Sequence, residues 1–313
     1  MEKKAYLSII IAAALWGCIG LFLKLLTAAG LTSMEGVAVR SAVSALLYGP
    51  FLALTDRKAL VIRPRHWYYF FGTGVCSLVF FNWCYFSAIS RSSMSVAAVL
   101  LYTSPVFVTL LSALLFKERL TPVKGAALVL TFAGCALVTG LFPLGQTRVS
   151  LSTLLLGLGS GLGYALYSIF GKFALRRYSS QTVTFYTFLF AALFSLPLSG
   201  LHRDLALLWD WRAAAGGLGI GVLCCILPYL LYTEGLRRAE AGKAAILATV
   251  EPFVAALLGI LLFREEVTPY KLLGMGAIFA AVVLLNRSPG DAAGGAAEQR
   301  DKVSLDKGRG KGL

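Results

Sequence analysis

The sequence predicts an all-α membrane protein, with ten transmembrane helices arranged as two inverted five-helix repeats. Three observations lead there. The 313 residues are 58% hydrophobic and only 14% charged, against about 45–50% and about 25% for a soluble domain. The apolar residues fall in runs near twenty, the length that crosses a hydrocarbon core of about 30 Å as a helix. The chain also matches itself when displaced by 147 residues.

The runs are drawn as spans at 5–27, 34–54, 66–88, 94–116, 122–140, 152–173, 181–200, 211–234, 241–263 and 269–286. The first is flanked by Lys3 and Lys4 and lacks a small-residue cleavage site, so it reads as a retained helix, not a removable signal. Each half holds five spans, giving repeats at 1–143 and 144–286. The Gly-, Ala- and charge-rich remainder, 287–313, is too polar to bury a core and is expected to be a disordered cytoplasmic tail.

A net charge of +14 invites a nucleic-acid reading, which its distribution excludes. With the N-terminus inside, 21 of the 29 Lys and Arg lie in cytoplasmic segments and six lie outside. Lys24 and Arg40 lie within spans. That is the positive-inside bias, and it places both termini in the cytoplasm of a multi-pass protein of the cell membrane. The six cysteines fall within spans, without metal-ligand spacing, and read as small core residues.

The repeat is most legible where FKERLTPVKG, 116–125, falls on FREEVTPYKL, 263–272. The same offset pairs Gly72 with Gly219, Gly74 with Gly221, Tyr85 with Tyr232 and Pro105 with Pro252. Near the start the offset becomes 148, pairing Trp16 with Tyr164, Phe22 with Phe170 and Lys24 with Lys172. An odd number of spans per repeat inverts the second half, an arrangement typical of secondary transporters with a site near the midplane. Thr121 and Thr268 are suited to cap helices that open on Pro122 and Pro269. Glu118 and Glu265 close the preceding helices; a topogenic turn with salt bridges between loops and a gating role both fit them. In GLGSGLGYAL, 157–166, two overlapping small-xxx-small spacings allow close helix approach.

Five plus five spans, the pair Trp16-Gly17 in the first helix and the repeated Glu-x-x-Thr-Pro turn resemble the EamA-like branch of the drug/metabolite transporter superfamily. The resemblance covers residues 5 to 286. It implies ten helices around a central cavity and substrates such as amino acids, other metabolites, nucleosides or drugs.

Among all Asp and Glu, Glu251 alone lies deep in a span, ~15 Å from either end. An ionisable group there costs about 2.5–3.5 kcal/mol on insertion scales, so it is expected to face the bundle interior or a wet cavity. Substrate contact, proton exchange and a buried packing role are all open to it. Pro252 cannot donate to the Ala248 carbonyl, and Pro105 cannot donate to Leu101, so both helices are expected to break beside the transport path. The repeat partner of Glu251 is Ser104, which makes the cavity hydroxyl on one side and carboxylate on the other. Arg40, ~9 Å into the second span, is the natural counter-charge for a substrate carboxylate or for Glu251, unless it snorkels to the interface. Trp16, Tyr102, Tyr164 and Tyr229 are candidate ring contacts, and Asn82 is polar enough to need a partner.

The sequence therefore points to a secondary transporter of a small organic solute, an amino acid or similar metabolite. Its partners are that solute, the lipid bilayer and, through Glu251, protons. A homodimer is compatible with the sequence; nucleic acid is not a partner. An exporter of cationic amphiphiles is the alternative within transport, and a receptor or structural protein is the alternative outside it. No catalytic residue, metal site or cofactor is expected: His-Glu-x-x-His, paired aspartates and a nucleotide-binding loop are all missing.

Overall fold

The computed structural model describes residues 2–140, 149–203 and 205–287. The tail from residue 288 onward and residues 141–148, where the two repeats are expected to join, lie outside the described residues. No strand occurs among the described residues. Eight helical rods are long and apolar enough to cross a membrane. They are α1 (Lys3–Ala28), α2 (Ser33–Thr55), α3 (Pro64–Arg91), α4 (Met94–Phe116), α6 (Leu151–Ala174), α7 (Ser180–Ser199), α8 (Trp211–Arg238) and α9 (Ala241–Phe263). Two apolar helices, α5 (Pro122–Val138) and α10 (Pro269–Leu285), are shorter. At ~1.5 Å per residue they are ~25 Å long, short of a full hydrocarbon core.

Local chemistry sets the boundaries. α2 opens on a capping box: the Thr32 side chain accepts from the Glu35 N–H, while the Glu35 carboxylate accepts from the Thr32 N–H at 2.8 Å. α5 opens on Thr121, whose hydroxyl accepts from the Lys124 N–H at 3.3 Å, and Thr268 does the same for the Lys271 N–H at 3.2 Å. Lys117 and Arg264, which end α4 and α9, adopt positive φ of 57° and 53°. Left-handed non-glycine residues are uncommon, and here they occupy matching positions of the two halves.

Packing crosses between the halves throughout. α1 lies on α8 and α9, α6 on α3 and α4, α2 runs along α7, and α5 runs along α10. α3 and α8 each contain a wide π-helical stretch, Gly72–Val79 and Ile220–Ile226. The Phe170 ring covers Gly72, where a Cβ would lie 2.4 Å from it, and the Phe22 ring covers Gly219, where a Cβ would lie 2.2 Å away. Each contact uses one residue from each half, with the roles exchanged.

The glycine run of α6 divides its work by face. A Cβ on Gly157 or Gly161 would strike α4, at Leu100 and Thr103; one on Gly159 or Gly163 would meet α3, at Cys84 and Phe81. Lipid supplies no hydrophobic drive between helices, so such close backbone approach is what allows dense packing.

Candidate functional site

Both α4 and α9 are broken near their middles. α9 consists of Ala241–Leu247 and Val250–Phe263, joined by a turn at Ala248 and Thr249. α4 consists of Met94–Leu101 and Ser104–Phe116, joined at Tyr102 and Thr103. Pro252 and Pro105 thus stand in the first turn of a new helix, where a missing N–H has no partner to lose. Glu251 stands there too, and a carboxylate in a first turn is favoured by the helix dipole. The Ala248 carbonyl is not left free, as proline chemistry alone suggests. It accepts the Glu251 N–H at 3.1 Å, in a tighter turn.

The two breaks come together beside Tyr164 of α6. Tyr164 of α6 donates its hydroxyl to Oε2 of Glu251 at 3.2 Å. A small cavity here is lined by Tyr102, Ser104, Tyr164, Ala248, Thr249 and Glu251. Four of the expected site residues therefore converge: Glu251, Tyr102, Ser104 and Tyr164. Gly17 lets α1 pass beside them. A Cβ there would fall 2.9 Å from the Glu251 carbonyl and 2.7 Å from the Val254 side chain.

Tyr164 also walls a second cavity, lined by Trp16, Ser77, Phe81, Tyr167, Ser168, Tyr229 and Tyr232. Each cavity has room for about one water, so this conformation holds the region closed around Tyr164. The Trp16 ring packs edge-on against Tyr229 at 5.2 Å and Tyr164 at 6.4 Å. Its Nε1 is buried without a partner among the described residues. Tyr232 bonds Ser168 at 2.7 Å. Tyr232, Ser168 and Tyr167 were not among the residues expected from sequence; the pairing of Tyr232 with Tyr85 was the one signal pointing to any of them.

Arg40 is 8% exposed, so it is buried instead of reaching outward. Its Nε and Nη2 have no hydrogen-bond partner among the described residues. It forms no ion pair with Glu251 among the described residues and lines neither cavity. Ser44, one turn along α2, bonds the Gly221 carbonyl at 3.1 Å and fixes this stretch of α2 to α8. Asn82 is buried, but lines neither cavity; its amide donates to the Leu78 carbonyl of its own helix at 2.7 Å. Among the described residues no cluster of His, Cys, Asp and Glu is arranged to hold a metal.

Helices of membrane length and a part-buried carboxylate at a helix break are features found in membrane transport proteins. The model of the EamA-like transporter family matches residues 3–140 and 151–287, and the chain belongs to that family. It is 33% identical over 202 residues to the threonine/homoserine exporter RhtA of Escherichia coli, covering 64% of this chain and 65% of that protein's length. It is 27% identical over 297 residues to the uncharacterized transporter YxxF of Bacillus subtilis, covering 90% and 89%. A solved crystal structure shares the fold with a TM-score of 0.76 at 18% identity, over 91% of this chain and 97% of that one.

Proposed function

We propose that this multi-pass membrane protein is a secondary transporter. It moves an amino acid or similar small metabolite across the cell membrane by alternating access, and protons exchange at Glu251. The observation that carries the reading is the Glu251 carboxylate at the break in α9, facing the break in α4 and held by Tyr164. An acid at that depth is retained against a cost of about 2.5–3.5 kcal/mol, which favours a role on a solute or proton path.

Two inverted five-helix repeats, 1–143 and 144–286, supply the moving parts. The exchanged Phe170–Gly72 and Phe22–Gly219 contacts support that relation. The charge bias supports cytoplasmic termini. A zwitterionic solute fits two opposite charges on the path: Glu251 for an ammonium and Arg40, with its unpartnered nitrogens, for a carboxylate. Tyr102, Ser104, Trp16, Tyr164 and Tyr229 then shape the side-chain space. Similarity to the threonine/homoserine exporter of Escherichia coli supports threonine and homoserine as the first solutes to try. Arg40 speaks against a purely cationic drug as cargo.

The test is flux in proteoliposomes with labelled threonine, homoserine and a panel of other amino acids, with and without an imposed pH gradient. Wild type is expected to move at least one of them faster with the gradient, and Glu251→Gln to lose that dependence. Flux that responds equally to the gradient in both proteins overturns the proton role. No flux of any amino acid overturns the substrate class.

A further inference from the structure

The end of the bundle carrying Glu118 and the end carrying Glu265 are built from repeat-equivalent residues, yet they are joined differently. At the first end the Glu118 side chain is 8% exposed and gathers three donors. Lys172 Nζ donates to its Oε1 at 2.7 Å. The Ala241 and Gly242 N–H groups donate to Oε1 and Oε2 at 2.7 and 3.1 Å. Lys172 also donates to the Ala239 carbonyl at 3.0 Å, and Lys124 pairs with Glu240 at 2.8 Å. The start of α9 and the end of α6 are thereby fastened to the α4–α5 turn. Ala241 is completely buried, and Ala241–Leu247 lies along Ser104–Phe116.

At the second end, the counterparts are unfastened. Glu265 is 50% exposed and pairs with Lys271 of its own turn at 3.0 Å. Lys24, the counterpart of Lys172, sits 3.1 Å over the Phe263 ring. Lys172 itself lies 5.4 Å from Phe116, the counterpart of Phe263. Both lysines thus rest near the equivalent ring, and only one holds the carboxylate. Met94, the counterpart of Ala241, is 67% exposed. Met94–Leu101 does not pack on Val250–Phe263 as Ala241–Leu247 packs on Ser104–Phe116.

We infer that Glu118 and Glu265 are alternate latches of one switch, closing opposite ends of the transport path in turn. In the conformation described, the Glu118 latch is shut and the Glu265 latch is open. In the other conformation, Glu265 exchanges Lys271 for Lys24 and the first N–H groups of Met94–Leu101, while Glu118 releases Lys172 and α9. An ammonium and two N–H groups on one shielded carboxylate form a strong charge-assisted cluster. Engaging both clusters at once would shut both ends, so only their alternation is compatible with passage. Glu118 and Glu265 are positioning residues that act through helix ends, without touching solute. The inference rests on the transport reading, to which it adds the device that selects the open end.

The test measures thiol labelling in the full chain in lipid nanodiscs, with no solute present. A cysteine is added at one end or the other, M94C or A241C, and labelling of the native thiols is subtracted. Without further change M94C is expected to react quickly and A241C slowly. Adding E118Q is expected to raise A241C labelling about tenfold, within the usual range for coupled sites, and to lower M94C labelling in the same sample. Adding E265Q is expected to slow A241C labelling further and leave M94C quick, because Glu265 closes only the other conformation, the one in which A241C reacts. A rise at A241C without the fall at M94C means local loosening and overturns the switch, as do two unmoved rates. K172M, which removes the ammonium and leaves the Glu118 acceptors in place, repeats the experiment should E118Q fold poorly. Because no transport is measured, failure here leaves the amino-acid reading standing, and absent flux leaves the switch standing.

Discussion

The Tyr164 hydroxyl donates to Oε2 of Glu251 at 3.2 Å, joining α6 to the break in α9 across 87 positions of sequence. Tyr164 walls both cavities as well. One side chain therefore orients the part-buried acid and divides the space around it.

Removing that hydroxyl separates the two roles. Tyr164→Phe keeps the ring and loses the bond. A hydrogen bond to a charged group contributes about 1.5–3 kcal/mol, so solute affinity is expected to fall about ten- to hundredfold, with the protein still folded. Binding titrations in detergent, read beside thermal melting, check this. Unchanged affinity would show that the bond does not order the site.

Arg40 is expected to discriminate by carboxylate. Arg40→Gln should depress flux of a zwitterionic amino acid far more than flux of the corresponding amine, which lacks the group Arg40 would meet. Loss of a buried charge partner costs about 2–5 kcal/mol, enough to abolish measurable flux of the zwitterion. Equal losses for both solutes would assign Arg40 to packing instead.

The approach of α6 to the break in α4 is expected to be intolerant of bulk. A Cβ on Gly161 would lie 2.6 Å from Thr103 Oγ1 and 3.0 Å from the Leu100 carbonyl. Gly161→Val should destabilise by about 1–3 kcal/mol, as overpacking does, and lower the melting temperature. Gly125→Ala is the control, since a Cβ there meets nothing within 4 Å.

The Glu118 cluster predicts an acid sensitivity. Burial opposes ionisation of this carboxyl and is the largest single influence. The Lys172 charge, with hydrogen bonds from Lys172, Ala241 and Gly242, outweighs it and holds the carboxyl below its ordinary range. A lowered folded value means the contribution is fully present above the unfolded value of about 4.3. It is lost as pH falls through the lower folded value. Melting curves from neutral pH down to pH ~3 should therefore show a steeper acid loss for wild type than for Glu118→Gln. Parallel curves would remove Glu118 from that limb.

Much of the fold is legible in sequence because lipid enforces simple rules. Apolar runs must be helices, since no water satisfies an exposed backbone. Threonine–proline pairs then mark helix starts at Pro122 and Pro269, and the duplicated FKE and FRE segments mark matching turns. Glu251 is conspicuous for the same reason: a lone acid in an apolar run is costly unless something uses it. Arg40 stands out by the same argument.

Rotation about helix axes is a different matter. Asn82 and Tyr164 are both candidates from the sequence, yet Asn82 turns back on its own helix at Leu78 while Tyr164 reaches Glu251. Tyr232 and Ser168 carry little signal because their bond at 2.7 Å links separate helices. Glu118 reads locally as a turn residue, and its three donors come from residues 54 to 124 positions away.

The sequence by itself determined that this chain forms apolar helices of membrane length and where two of them break. It also determined that a single carboxylate sits deep among them, because hydrophobicity and proline geometry act within a few residues. Only the tertiary structure decided which groups meet that carboxylate and which end of the bundle is fastened. Those outcomes depend on how closely helices approach at Gly17 and Gly161 and on which face each turns inward. No local pattern carries that information, because it arises from the packing of the whole bundle.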